Sequence, residues 1–551
     1  MPKQFKIFST LLGLFLACVS CTSTLPKADL IVENAVIWTG NSAQSSAQAM
    51  AILADTILAL GTIADLQKYK GEHTVVKDMA GKFISPGFID AHVHLMMGGN
   101  ALLSVELRDA TTQQEFVKRI ADYTKTLAPD AWVLEGNWDH TLWGGELPKK
   151  EWIDAFTSEN PVVLYRLDGH MVLANSLALK IAGIDEHTPA IEGGEIVKDA
   201  HGIPTGILKD NAMNYLLAKI PPMTVPQKEK ALKAAMTYLL SNGVTSVHDV
   251  DSIGTFPIAK KLKEANELSV RIYAINPLNH WDKRNDTFKN TDKWLKTGAL
   301  KGFMDGSLGS HTAVFVADYS DKAGDRGFFI NDKNDMKKWI SKADKKGLQV
   351  LVHAIGDDAN HVLLEIFEAV SNENGPRDRR FRVEHAQHLL KEDISKFGSL
   401  DIVVSVQPYH AIDDGRWAEE LIGAERIKTT YAFKSLLEEK VTLAFGSDWP
   451  VAPASPILGI YAATTRRTLD HANPEGWIPE EKITVLQALN AYTKNAAFAS
   501  FDEQEKGTLE VGKLADFVVL SDNLLKVNPG TIKNIEVLQT YVGGKLAYMK
   551  K

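Results

Sequence analysis

Apolar and polar positions along the chain fall into two textures. At both ends the runs are short, β-rich and broken by turn residues: "ADLIVENAVIWTG" (28–40), "MAILADTILALG" (50–61), "GTLEVGKLADFVVLSDNLL" (507–525) and "IEVLQTYVGGKLAYMK" (535–550). Runs of this kind predict strands, and Gly543-Gly544 marks a hairpin. The two ends together predict one composite β-sandwich domain, residues 28–84 plus 507–550.

Between the ends, short apolar strands alternate with amphipathic helical stretches. "VPQKEKALKAAMTYLLSNG" (225–243) predicts a helix closed by Asn242-Gly243 that feeds the strand "VTSVHDV". Further strands are predicted at 269–275, 299–307, 348–357, 381–387, 401–408 and 441–450. With "FISPGFIDAHVH" as the first there are eight, mostly spaced for one helix and a loop each. That pattern predicts an α/β fold, a (β/α)8 TIM-like barrel over residues 85–506, entered through a bend at Pro86-Gly87. The stretch from 95 to 243 is too long for one crossover and carries its own strand and turn signals. Residues 98–222 are therefore expected to form an insertion after barrel strand one, covering the active-site mouth. Its tryptophans, Trp132, Trp138, Trp143 and Trp152, are candidates to line a pocket, Trp138 foremost.

Composition narrows the class without altering the fold. The 551 residues are 45% hydrophobic and 24% charged, ordinary values for a globular protein. A net charge of −8 argues against nucleic acid or an anionic membrane surface as the partner and leaves a small molecule as the expected one. Lys3 and Lys6 precede the short apolar run "IFSTLLGLFLA", which reads as a targeting signal. Both cysteines, Cys18 and Cys21, follow that run, and the segment 1–21 resembles a bacterial lipoprotein signal acylated at one or the other. An exported periplasmic or outer-membrane lipoprotein is expected, held to a membrane only by that anchor. The folded body then has no thiol for a disulfide, a nucleophile or a zinc ligand. Oligomeric state is left open, a homodimer included.

Candidate chemistry lies at the C-terminal ends of the strands, the active-site face of a parallel barrel. His92 and His94, alternate residues of strand one, point the same way and can chelate one metal. His353 ends strand five, His385 strand six, and Asp448 in "GSDWP" strand eight. Each alone has a structural alternative, a core histidine or a helix cap; together they point to a metal centre. Lys301 interrupts the apolar strand four, where an ammonium near divalent ions is expected to be uncharged or chemically converted.

This set resembles the amidohydrolase superfamily, in particular the amidohydrolase-family-3-type branch that includes N-substituted formamide deformylases. "PGFIDAHVH", "LKGFMDGSLGSHTA", "VHAIGDDA", "RVEHAQ" and "GSDWPV" match the branch's motifs on strands one, four, five, six and eight. The resemblance implies a centre of one or two divalent ions, zinc above manganese, iron, cobalt or nickel. His92, His94 and Asp448 would hold one, and His353 and His385 the other. Lys301 would carry carbon dioxide as a bridging carbamate. It implies hydrolysis of a non-peptide carbon–nitrogen bond in a small amide-type substrate, with Asp448 as the catalytic proton carrier. Deamination, ester or lactone hydrolysis, or ligand capture without catalysis are the alternatives on the same scaffold. Asp90 and Glu384 are candidates to orient the histidines, although neighbouring strand residues alternate in direction. His170, beside Arg166 and Asp168, together with Asp305, His311 and Trp138, are the expected substrate contacts; His311 stands where the branch often has arginine. His248 and Gln407 also fall at strand ends, without an assigned role.

Overall fold

Eight apolar runs become eight parallel strands in sequence order. In the computed structural model, which describes residues 25–166, 171–191, 194–210, 212–250, 252–283, 292–309 and 311–551, they are β1 (Phe88–Val93), β2 (Val244–Asp249), β3 (Arg271–Pro277), β4 (Leu295–Phe303), β5 (Gln349–Ala354), β6 (Arg382–His385), β7 (Val403–Val406) and β8 (Thr442–Phe445). Every residue of β1, β2, β6 and β7 is buried, as a parallel sheet covered on both faces requires. The ring is drawn shut by two backbone bonds, Asp448 N–H to His92 O (2.8 Å) and His94 N–H to Trp449 O (2.9 Å). The seam thus lies beside three of the candidate ligands.

The terminal runs form two sheets around a shared core. A six-stranded sheet interleaves the chain ends, with Phe83–Pro86 between Val36–Trp38 and Phe517–Leu520. The second sheet, four strands within Leu30–Asp78, comes from the N-terminal end alone. Leu30, Val32, Ile52, Ile84, Phe517 and Tyr541 fill the space between them. Arg271 on β3 grips Asp516 through Nε and Nη2 (2.7 and 3.0 Å), a buried two-pronged bond that docks the barrel on this domain. The bend expected at Pro86-Gly87 is present: Pro86 ends a sheet strand and Phe88 begins the barrel.

The long segment after β1 has secondary structure of its own. It carries a helix, Gln113–Thr124, and an antiparallel four-stranded sheet spanning residues 163–210. Directly after β1, Leu95–Ala101 forms a short helix against the barrel. Gly98 permits it, because a Cβ there would stand 2.3 Å from the Trp449 ring. Arg108 then donates to Pro450 O (3.3 Å), which ties the insertion to the loop after β8. The helix predicted after the insertion runs Val225–Ser241, opened by a reciprocal Thr224–Gln227 capping box and followed by Gly243 at φ +78°. No helix among the described residues is long and apolar enough to cross a membrane.

Candidate metal centre

Strand ends converge on one buried cluster. His92 Nε2 and His94 Nε2 lie 3.4 and 3.2 Å from Asp448 Oδ1, and the ligand atoms of these three residues are all within 4.8 Å of one another. A tetrahedron with metal–ligand arms of about 2.1 Å has edges of about 3.4 Å, so the spacing suits a first-row divalent ion. His92 Nε2 and Asp448 Oδ1 are buried and make no hydrogen bond, which leaves their lone pairs for such an ion. His385 stands beside them, its ring centroid 4.8 Å from that of His92 and 4.4 Å from that of His353.

Three of the histidines have a fixed partner on the ring nitrogen turned away from the centre. His92 Nδ1 meets Glu384 Oε2 at 2.6 Å, His385 Nδ1 meets Gln407 Oε1 at 2.8 Å, and His353 Nε2 meets Gly306 O at 2.9 Å. Such bonds set the tautomer and aim the other nitrogen. Glu384 is itself held by Arg382 Nε (2.9 Å), and Arg382 Nη1 reaches His248 Nδ1 (2.9 Å). His248 and Gln407 thereby acquire places in the site's support. Asp90 accepts from Ser447 N (2.9 Å) and Ser447 Oγ (2.6 Å), so it anchors the loop carrying Asp448 rather than a histidine ring.

Electrostatics favour ligation. Burial, then the nearby Lys301 charge, lowers His92 to about 4 and His353 to about 3. Burial and the neighbouring His353 imidazole hold His385 well below its ordinary value. All three rings are neutral at pH 7. Burial pushes the Asp448 carboxyl up, but His92 and the other imidazoles outweigh it and hold the group well below the usual carboxylate range. Lys301 is 3% exposed and lies over the Phe303 ring, Nζ 4.5 Å from its centroid.

One residue absent from the sequence reading joins the cluster. His410, on the helix Pro408–Asp414 after β7, forms a second group of closely spaced ligand atoms with His385 and Asp448. Its only prior signal was position, a histidine four residues beyond a strand end. His353 belongs to neither group of three His and Asp ligands.

The expected substrate contacts fare differently. Trp138 is fully buried, donates Nε1–H to Leu164 O (2.7 Å) and packs with Phe116, Ile120 and Leu164. It is a core residue of the insertion, not a pocket wall. Asp305 is likewise enclosed: its oxygens accept from Val314 N, Ile355 N and Gly356 N (2.8–2.9 Å), fastening the loop after β4 to the end of β5. Burial raises it to about 7, against those three bonds. His311 sits at φ +59° with Nε2 on Asp321 (2.9 Å) and its ring 4.5 Å from that of Tyr319. His170 and Asp168, like Cys18 and Cys21, lie outside the described residues. Arg166 spans Asp139 and His140 within the insertion.

Comparison with known proteins agrees with this geometry. Residues 75–548 match the amidohydrolase family. Protein LONG AFTER FAR-RED 3 of Arabidopsis thaliana is 40% identical over 541 residues, 95% of this chain and 92% of that protein. The putative amidohydrolase YtcJ of Bacillus subtilis is 31% identical, covering 88% and 92% of the two chains. An N-substituted formamide deformylase of Arthrobacter pascens is 28% identical, covering 94% and 98%. An uncharacterized metal-dependent hydrolase from Pyrococcus horikoshii superposes with a TM-score of 0.77 at 27% identity, over 91% of this chain and 99% of that one. The chain belongs to amidohydrolase family 3, within the metal-dependent amidohydrolase superfamily.

Proposed function

We propose that this protein hydrolyses a non-peptide carbon–nitrogen bond, in an amide, N-formyl amide or cyclic amide, at a centre of one or two divalent metal ions, zinc foremost. The meeting of His92, His94 and Asp448 at ligand spacing carries this reading, and the 28% identity to an N-substituted formamide deformylase supports the substrate class.

A divalent ion held by His92, His94 and Asp448 would lower the pKa of a bound water and polarise the substrate carbonyl. Asp448, ionised and with Oδ1 free of hydrogen bonds, takes the proton of the attacking water and returns it to the departing nitrogen. The neutral imidazoles keep their lone pairs for ligation, and Glu384 and Gln407 hold two of them in register. Lys301, itself buried, is proposed to add carbon dioxide at Nζ with loss of two protons from the ammonium, which turns a cation into an anionic carbamate able to act as an oxygen ligand. The segment 1–21 supports an exported, lipid-anchored enzyme, and mass spectrometry of the N-terminal peptide would locate the acyl group on Cys18 or Cys21.

The test is turnover by metal-stripped protein on a panel of N-formyl and N-acyl amides, with and without zinc or manganese. Metal-dependent release of the amine is expected. Turnover confined to lactones or aminopyrimidines would move the reading to ester hydrolysis or deamination, and none on any substrate would favour ligand capture.

A further inference from the structure

Strand seven brings a ligand that the reading above does not use. β7 ends at Val406, Gln407 goes to His385 Nδ1, and the chain turns directly into the helix Pro408–Asp414. Three residues beyond Gln407, His410 is 9% exposed, and its Nε2 is buried without a hydrogen-bond partner. An imidazole nitrogen sealed from water and left unbonded loses its hydration with nothing in return. Here the orphan atom stands among others of the same kind. Ligand atoms of His385, His410 and Asp448 lie within 4.8 Å of one another, and all three residues are buried. Asp448 is common to this set and to the His92–His94 set, and its Oδ1 is unbonded.

We propose that His385, His410 and Asp448 form a second cation position, with Asp448 bridging it to the position of His92 and His94. The set is two imidazoles and a carboxylate, the donor types that suit zinc, cobalt or nickel. His410 then supplies a protein ligand to the second ion that does not depend on carboxylation of Lys301. The inference rests on the reading that this centre binds metal.

The test is cobalt(II) and zinc titration of the metal-stripped full chain, followed by visible absorption and by metal analysis after gel filtration. Wild-type protein is expected to take up two equivalents, and His410→Ala one, with the tighter first step unchanged. His410→Gln, close in size, guards against a folding defect and is expected to give the same loss of one equivalent; circular dichroism of both variants checks the fold. Two equivalents in both variants would overturn the assignment while leaving the metal reading intact, as would a single equivalent in wild type and variants alike. No uptake by the wild-type chain would overturn the metal reading itself.

Discussion

Glu384 Oε2 lies 2.6 Å from His92 Nδ1, a contact that reaches from β6 across the barrel interior to β1. The next residue, His385, also turns towards the centre, against the alternation of a regular strand. The backbone explains it: His385 adopts φ +74° and Ala386 φ +42°, left-handed values that end the strand's alternation at the histidine. Asp448 stands at φ +59° for a comparable purpose. Such conformations are unfavourable for side-chain-bearing residues and persist where surrounding bonds impose them.

Glu384→Gln should lower metal affinity about 10- to 100-fold, because a neutral amide orients the His92 ring less firmly and withdraws its negative charge. Competition against a chromophoric chelator measures this. Unchanged affinity would show that His92 needs no such support.

The same carboxylate makes acid stability of the metal-free protein depend on pH. Burial by itself raises the Glu384 pKa, but Arg382 and His92 outweigh it and hold it at about 2, below the ordinary 4.5. A depressed carboxyl contributes stability that is complete above about pH 4.5 and is lost as pH falls towards about 2. Thermal melts between pH 6 and pH 3 should therefore steepen at the acid end in wild type and less so in Glu384→Gln.

Asp448→Asn should reduce turnover by about 10²- to 10⁴-fold, the range for loss of a general acid–base group. Metal analysis is expected to show a smaller effect, since His92 and His94 remain. Full activity in this variant would exclude the aspartate as proton carrier.

Gly446→Ala tests the close approach at the barrel seam. A Cβ at Gly446 would stand 2.6 Å from His92 N and 2.8 Å from His92 Cβ. Relief requires moving either β1 or the Asp448 loop, and a loss of about 1–3 kcal/mol is expected by chemical denaturation. Metal affinity should fall with it.

Trp138→Ala should destabilise the protein by about 3–5 kcal/mol, as for other large aromatic residues removed from a core. Trp138→Phe should keep KM close to wild type. A raised KM with an unaltered melting temperature would return Trp138 to the substrate pocket.

Much of this architecture is written locally. Short apolar runs marked the eight barrel strands, a period-3.6 pattern the helix Val225–Ser241, and a Pro-Gly pair the bend at Pro86-Gly87, because backbone geometry and burial act over a few residues. Placing His92, His94, His353, His385 and Asp448 at strand ends followed from the same counting. Trp138 and Asp305 were misjudged because an aromatic ring or a carboxylate reads alike in sequence whether it faces a pocket or is enclosed by its own loop. Glu384 was legible as a candidate to orient a histidine, but which partner each group takes was beyond local reading: Glu384 on His92, Asp90 on Ser447 and Arg271 on Asp516 join residues 292, 357 and 245 positions apart. Left-handed backbone at His385 and Asp448 was equally hidden, since the alternation rule assumes a regular strand. Sequence alone determined which residue types arrive at the barrel mouth; tertiary packing decided which nitrogen and which oxygen face one another there, because distances of 3 Å depend on closure of the whole ring.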